Sequence, residues 1–193
     1  MSPIPPVIPA DHHLAIEERL FRAVNVDAGS WADELARVLS SPVFGGTVAV
    51  LLAIALWVHR RDQGWRWVLA LGIALALTDA LGSQLLRPLL LRARPVYALP
   101  PGTVRYLSPA ANSGSFPSLH AANFFAMAVV GAAGWPALAP LLFSLATAVA
   151  WSRLYVGVHW PGDVLLGALW GSIWGLASVT FLRRILARNG RRP

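Results

Sequence analysis

The 193-residue sequence contains no cysteine and no lysine, and only 13% of its residues are charged. The missing thiols exclude a disulfide framework, a thiolate metal site and a cysteine nucleophile, and leave no clue to a redox compartment. All 16 basic residues are therefore arginine. This reads as a compositional bias, although the planar guanidinium suits bidentate phosphate binding better than an ammonium does. While charge is scarce, apolar residues reach 56%, a balance foreign to ordinary soluble domains. One membrane-embedded domain is the simplest account of this length and composition.

The formal charge of +7 does not indicate nucleic acid, because the arginines fall at the ends of apolar runs and in the tail rather than along one face. Lipid headgroups are the expected anionic partners, with no nucleic acid. The segment Met1 to Ala10 is proline-rich and lacks a basic stretch followed by an apolar core. It does not read as a cleavable signal peptide.

Residues 1–41 read as an N-terminal amphipathic region. Leu14, Ile16, Leu20, Phe21 and Val24 mix with Glu17, Glu18, Arg19 and Arg22. A second helical pattern begins at Ser30, an expected N-cap with Asp33 behind it, and continues through Trp31, Leu35, Val38 and Leu39. Both are too charged to span, and are expected to lie on the membrane surface or over the mouth of a bundle.

Spanning a hydrocarbon core takes roughly 20 helical residues. Apolar stretches near 42–59, 66–86, 117–134, 137–154 and 161–182 approach that length. The expected fold is all-α, an integral membrane bundle over 42–182 with five spanning helices, six if the N-terminal amphipathic segment also crosses, followed by a basic tail over 183–193. Alternation of five spans puts His59-Arg60-Arg61 and the tail on one side, which the positive-inside rule makes cytoplasmic. The inner membrane of a bacterium, with the site facing outward, is the expected location.

Three blocks would then meet at the extracytoplasmic end: Arg87 through Arg94-Pro95, Pro117-Ser118-Leu119-His120, and Ser152-Arg153 through His159 to Asp163. Phosphate transfer needs charge neutralisation, an in-line nucleophile and an acid for the leaving oxygen. Arg87, Arg94 and Arg153 can supply the first. No metal-ligand spacing is visible, so a metal-independent site without cofactor is expected. His159 and Asp163 stand one helical turn apart around Pro161, an arrangement suited to a nucleophile and its orienter. A carboxylate favoured by the helix dipole is the plainer alternative for Asp163. Ser118 and the amides of its helix start can cradle an anion, and His120 can donate a proton.

Order, spacing and helix placement of these blocks resemble the signature of the type-2 phosphatidic acid phosphatase superfamily, membrane phosphatases related to vanadium haloperoxidases. Arg87 stands where that family carries lysine, and Leu119 where it carries glycine. The resemblance implies that His159 forms a phosphohistidine, that Asp163 is its partner and that His120 is the general acid. It also implies that Arg87, Arg94, Ser118, Arg153 and the Leu119 amide hold the phosphate. The implied substrate is a membrane lipid phosphate, first a polyprenyl diphosphate such as undecaprenyl diphosphate, then phosphatidylglycerophosphate or phosphatidic acid. Two alternatives stay open: a lipid phosphotransferase with the same intermediate, and a non-catalytic phospholipid-binding protein.

Outside the blocks, Asp79 is expected to pair with an arginine inside the bundle. Tyr97, Arg105 and Tyr106 lie on the long connection before Phe116, where a headgroup contact and a solvated loop are equal alternatives. Trp57, Trp65, Trp67, Trp135, Trp151 and Trp160 fall near expected helix ends, as interfacial belts do. Gly167, Gly171 and Gly175 permit close helix contact within the bundle or between protomers.

Overall fold

The computed structural model describes residues 15–109 and 114–189. Met1 to Ala10, Leu14, Arg191 and Arg192 lie outside the described residues. Among the described residues every regular element is helical. Helices α1 (Ala15–Val24) and α2 (Ser30–Leu39) precede α3 (Pro42–Arg60) and α4 (Gly64–Leu81); the short α5 (Arg87–Leu90) and α6 (Pro95–Ala98) lead to α7 (Leu119–Gly134), α8 (Ala139–Tyr155) and α9 (Pro161–Asn189). Among the described residues three segments are long and apolar enough to cross a membrane: Pro42–Ala98, Pro136–Tyr155 and Pro161–Ala187. The first folds back at Arg61 into α3 and α4, and Leu119–Gly134 is a shorter apolar helix.

The path of the chain brings the three blocks to one end. Helix α3 begins beside Ser40, whose carbonyl accepts from Arg153 Nη1 at 3.1 Å, and runs to the far end, where His59 stacks on Trp135 at 4.1 Å. Helix α4 returns toward Arg87, α7 leaves from His120, α8 returns to Arg153, and α9 leaves again from Asp163. Each block therefore sits where a helix arrives at, or departs from, the same end.

Apolar packing holds this arrangement. Leu52, Leu56, Trp67, Phe124, Met127, Val130, Leu142 and Val179 form the main buried cluster among α3, α4, α7, α8 and α9. Trp57 and Trp65 are exposed, as a belt requires, but Trp67 and Trp160 are buried and serve as packing residues. The contact between α7 and α9 is close because α9 presents glycines there. A Cβ at Gly167 would lie 2.6 Å from the Ser118 carbonyl oxygen, and one at Gly171 would overlap that of Ala122. The glycine ridge is thus used inside the bundle.

At the mouth, α1 and α2 pack over the end that carries the blocks. Ser30 is the first helical residue of α2, and Gly29, with φ of 92°, takes the cap position without a side-chain bond. Asp33 makes no capping box because its carboxylate accepts from Arg105 at 2.9 and 3.1 Å and from Tyr155 Oη at 2.7 Å. These partners hold the Asp33 carboxyl below the usual range, the Tyr155 bond being the largest cause. Arg105 thereby staples the loop to α2, and Asn25 adds bonds to the Arg105 and Tyr155 carbonyls, both 2.8 Å. Tyr97 and Tyr106 remain at the surface and hydrogen-bond to each other.

Candidate active site

Block one reaches the site through two backbone adjustments. A π-turn over Gly82–Leu86 separates α4 from α5, and Leu91, at φ 33°, ends α5 in the left-handed region. Beyond it the chain extends through Arg94 before Pro95 starts the single turn of α6. Arg94 is buried, and its Nη1 donates to the Val158 carbonyl at 2.9 Å while its Nη2 donates to that of Gly114 at 3.3 Å. Asp79 is within electrostatic reach of Arg87, as expected, but it is exposed on α4 rather than buried.

Block two begins after a cis Phe116–Pro117 peptide. Ser118 caps α7 with extended backbone, and Leu119 is its first helical residue. The leucine therefore adopts a geometry open to any side chain. Space for it comes from Gly82, where a Cβ would lie 2.5 Å from Leu119 Cδ2. The Ser118 amide donates to the Asp163 carbonyl at 3.0 Å, which joins block two to block three.

Block three turns sharply between α8 and α9. Gly157 has φ of 85°, a conformation that costs glycine little, and the Leu107 amide donates to the Val156 carbonyl at 3.2 Å above it. Ser152 Oγ and Ser40 Oγ are 2.9 Å apart. Together with the Ser40–Arg153 bond, this fixes the third guanidinium against the α2–α3 junction. Ser40 was not singled out in the sequence.

These constraints bring all eight expected residues to the same end of the bundle. His159 Nε2 lies 3.2 Å from Arg94 Nη1, and His159 Nδ1 lies 3.6 Å from Asp163 Oδ2. A guanidinium nitrogen only donates, so Nε2 is the acceptor and the ring proton belongs on Nδ1, facing the carboxylate. Burial pushes the His159 imidazole down to about 3, against the raising influence of Asp163. It is neutral at pH 7, with the lone pair on the side of Arg94. His120 is within electrostatic range of Arg87, Arg153 and His159, and its Nε2 and Ser118 Oγ are buried without a protein hydrogen-bond partner. Buried polar atoms in this state suit a polar ligand. Among the described residues no cluster of three or more histidine, aspartate, glutamate or cysteine side chains is arranged to hold a metal ion.

One arginine of block one had no expected role. Arg92 Nη1 donates to Asp163 Oδ1 at 2.8 Å, and its Nη2 pairs with Glu17 of α1. Arg92 was not singled out in the sequence, and nothing local pointed to Glu17.

A helical membrane bundle with two histidines, a carboxylate and converging arginines at one end defines a class, the membrane lipid phosphatases. The chain belongs to the PAP2 superfamily, whose family model matches residues 67–186. It is 34% identical to Escherichia coli YbjG, a protein named as a candidate undecaprenyl-diphosphatase, over 82% of this chain and 79% of that one. It is 30% identical to a lipid A 4′-phosphatase of Bacteroides thetaiotaomicron over 72% of this chain and 65% of the relative. The crystal structure of Aquifex aeolicus LpxE superposes with a TM-score of 0.73 at 31% identity, covering 86% of this chain and 96% of that one. The protein is a membrane PAP2 phosphatase.

Proposed function

We propose that the enzyme hydrolyses a polyprenyl diphosphate at the extracytoplasmic face, through a phosphohistidine on His159. The observation that carries this reading is the set of contacts around His159, with Nε2 toward Arg94 and Nδ1 toward Asp163. Arg87, Arg94, Arg153, Ser118 and the Leu119 amide bind the non-bridging oxygens. Nε2 attacks phosphorus, the bond to the leaving oxygen breaks, and His120 gives that oxygen a proton. His120 then takes a proton from water, the hydroxide attacks phosphorus, and cleavage of the P–N bond frees phosphate and restores the imidazole. Arginine charge serves the role that metal ions fill in other phosphoryl-transfer enzymes.

Five crossings by α3, α4, α7, α8 and α9, with α1 and α2 at the interface, agree with this sidedness. The unit is then a bundle over 42–182 with an interfacial N-terminal region before it and a basic cytoplasmic tail after it. The substrate assignment draws support from the relationship to YbjG. A phosphorylated glycolipid is the second reading, favoured by the Bacteroides relative. The test is phosphate release in detergent with chelator, comparing undecaprenyl diphosphate, lipid A, phosphatidylglycerophosphate and phosphatidic acid. Release fastest from the diphosphate and reduced about 10³-fold or more in His159→Ala is expected. Undiminished release by that variant overturns the mechanism, and preference for lipid A selects the second reading. Phosphate transfer only on addition of an acceptor alcohol identifies a phosphotransferase.

A further inference from the structure

The reading of His159 as nucleophile leaves Asp163 with a demanding task. Its side chain is fully buried, and a buried carboxylate is tolerated only when its oxygens are paired. Oδ2 accepts the Trp160 amide at 2.8 Å and faces His159. Oδ1 is held by Arg92, whose side chain is only 13% exposed. Arg92 in turn pairs through its other terminal nitrogen with Glu17 Oε2, and Glu17 Oε1 accepts the Gly162 amide at 2.9 Å. The four side chains form a row from the surface of α1 to the imidazole.

We propose that Arg92 and Glu17 are positioning residues for phosphate transfer, a bridge that fixes the Asp163 carboxylate and through it the ring of His159. The inference rests on the phosphohistidine reading above. Both terminal nitrogens of Arg92 are committed to carboxylates, so it acts on the reaction through Asp163 and not on the phosphate. Its fork holds one carboxylate with each arm, a geometry a lone ammonium reproduces poorly. Glu17 has an electrostatic part as well. Unopposed, the Arg92 cation would draw charge density away from the Asp163 carboxylate and weaken its hold on the positive ring of a phosphohistidine. The Glu17 anion balances that cation.

The remainder of α1 supports the same assignment. Phe21 packs on the Trp160 ring with centroids 5.5 Å apart, and the Arg92 guanidinium lies over that ring at 5.7 Å. Trp160 Nε1 donates to the Ala93 carbonyl at 2.8 Å. Gly162 leaves room for Glu17, since a Cβ there would collide with Oε1. A helix outside the catalytic blocks is thus seated on the two segments, Arg92–Ala93 and Trp160–Asp163, whose relative placement orients the nucleophile.

The experiment measures kcat, KM and the inhibition constant of inorganic phosphate for Arg92→Ala, Arg92→Lys, Glu17→Gln, Gly162→Ala and the Glu17→Gln/Gly162→Ala double variant, with His159→Ala alongside. Arg92→Ala is expected to lower kcat roughly 10- to 100-fold, the range for losing outer hydrogen-bond partners in metal sites. KM and the phosphate inhibition constant are expected to stay within about twofold, since the loss is confined to the transition state. Arg92→Lys should recover part of kcat. Glu17→Gln keeps the size of the side chain and should lower kcat by a smaller factor, and Gly162→Ala should add little in that background, because both act on one contact. Unchanged kcat in both Arg92→Ala and Glu17→Gln, with His159→Ala inactive, overturns the bridge alone. A raised KM and inhibition constant at constant kcat reassigns Arg92 as a phosphate ligand and also overturns it. Full turnover by His159→Ala removes the reading on which it rests.

Discussion

His159 shows how a single side chain is prepared by burial. Its ring is 2% exposed and stays neutral in the folded protein down to about pH 3, whereas an unconstrained histidine titrates at 6.5. Between these values the unfolded chain takes up a proton that the folded chain refuses, so acid favours unfolding. The contribution is constant above pH 6.5 and is lost as pH falls toward 3. Each pH unit within that window costs at most about 1.4 kcal/mol from this group. Thermal unfolding in detergent, followed from pH 7.5 to 4, should therefore show a midpoint that falls below pH 6.5. His159→Gln should flatten part of that slope, and equal slopes in variant and wild type count against the buried neutral imidazole.

At the scale of elements, the seam between α7 and α9 carries the placement of Ser118 against Asp163. Gly171→Ala forces a methyl into the Ala122 carbonyl and should cost about 1–3 kcal/mol as overpacking. Gly72→Ala in α4 is the matched control, because a Cβ there meets nothing within 4 Å. It should be neutral or stabilising by about 0.5–1 kcal/mol. Paired thermal unfolding measurements in detergent check the difference, and similar midpoints for the two variants contradict the seam. This ridge was visible in the sequence as small residues at helical spacing, as were the three blocks, because both are local patterns. Contacts between distant segments were not visible. Ser30 and Asp33 form a capping signature, yet Arg105 and Tyr155 take the carboxylate. Leu119 looks like an intrusion until Gly82 is placed beside it. Glu17 meets Gly162 only because α1 folds back across the mouth.

For the whole molecule the remaining question is which way the site faces. Arg60, Arg61, Arg66, Arg183 and Arg184 flank the end remote from the blocks. The arginines at the site end are more numerous, but Arg22, Arg37, Arg92 and Arg105 are paired with acidic residues, and Arg87, Arg94 and Arg153 are the phosphate ligands of the proposed mechanism. Their presence there has a chemical reason independent of topology, and the remote group is left to set orientation through the positive-inside rule. The absence of cysteine makes this directly measurable, since any introduced thiol is unique. Pro101 lies on the exposed loop at the site end and Asp62 in the exposed turn at the other. In intact cells a membrane-impermeant maleimide should label Pro101→Cys at once and Asp62→Cys only after permeabilisation. The reverse pattern puts the site in the cytoplasm, where it meets lipids of the inner leaflet and an outward-facing carrier diphosphate is out of reach.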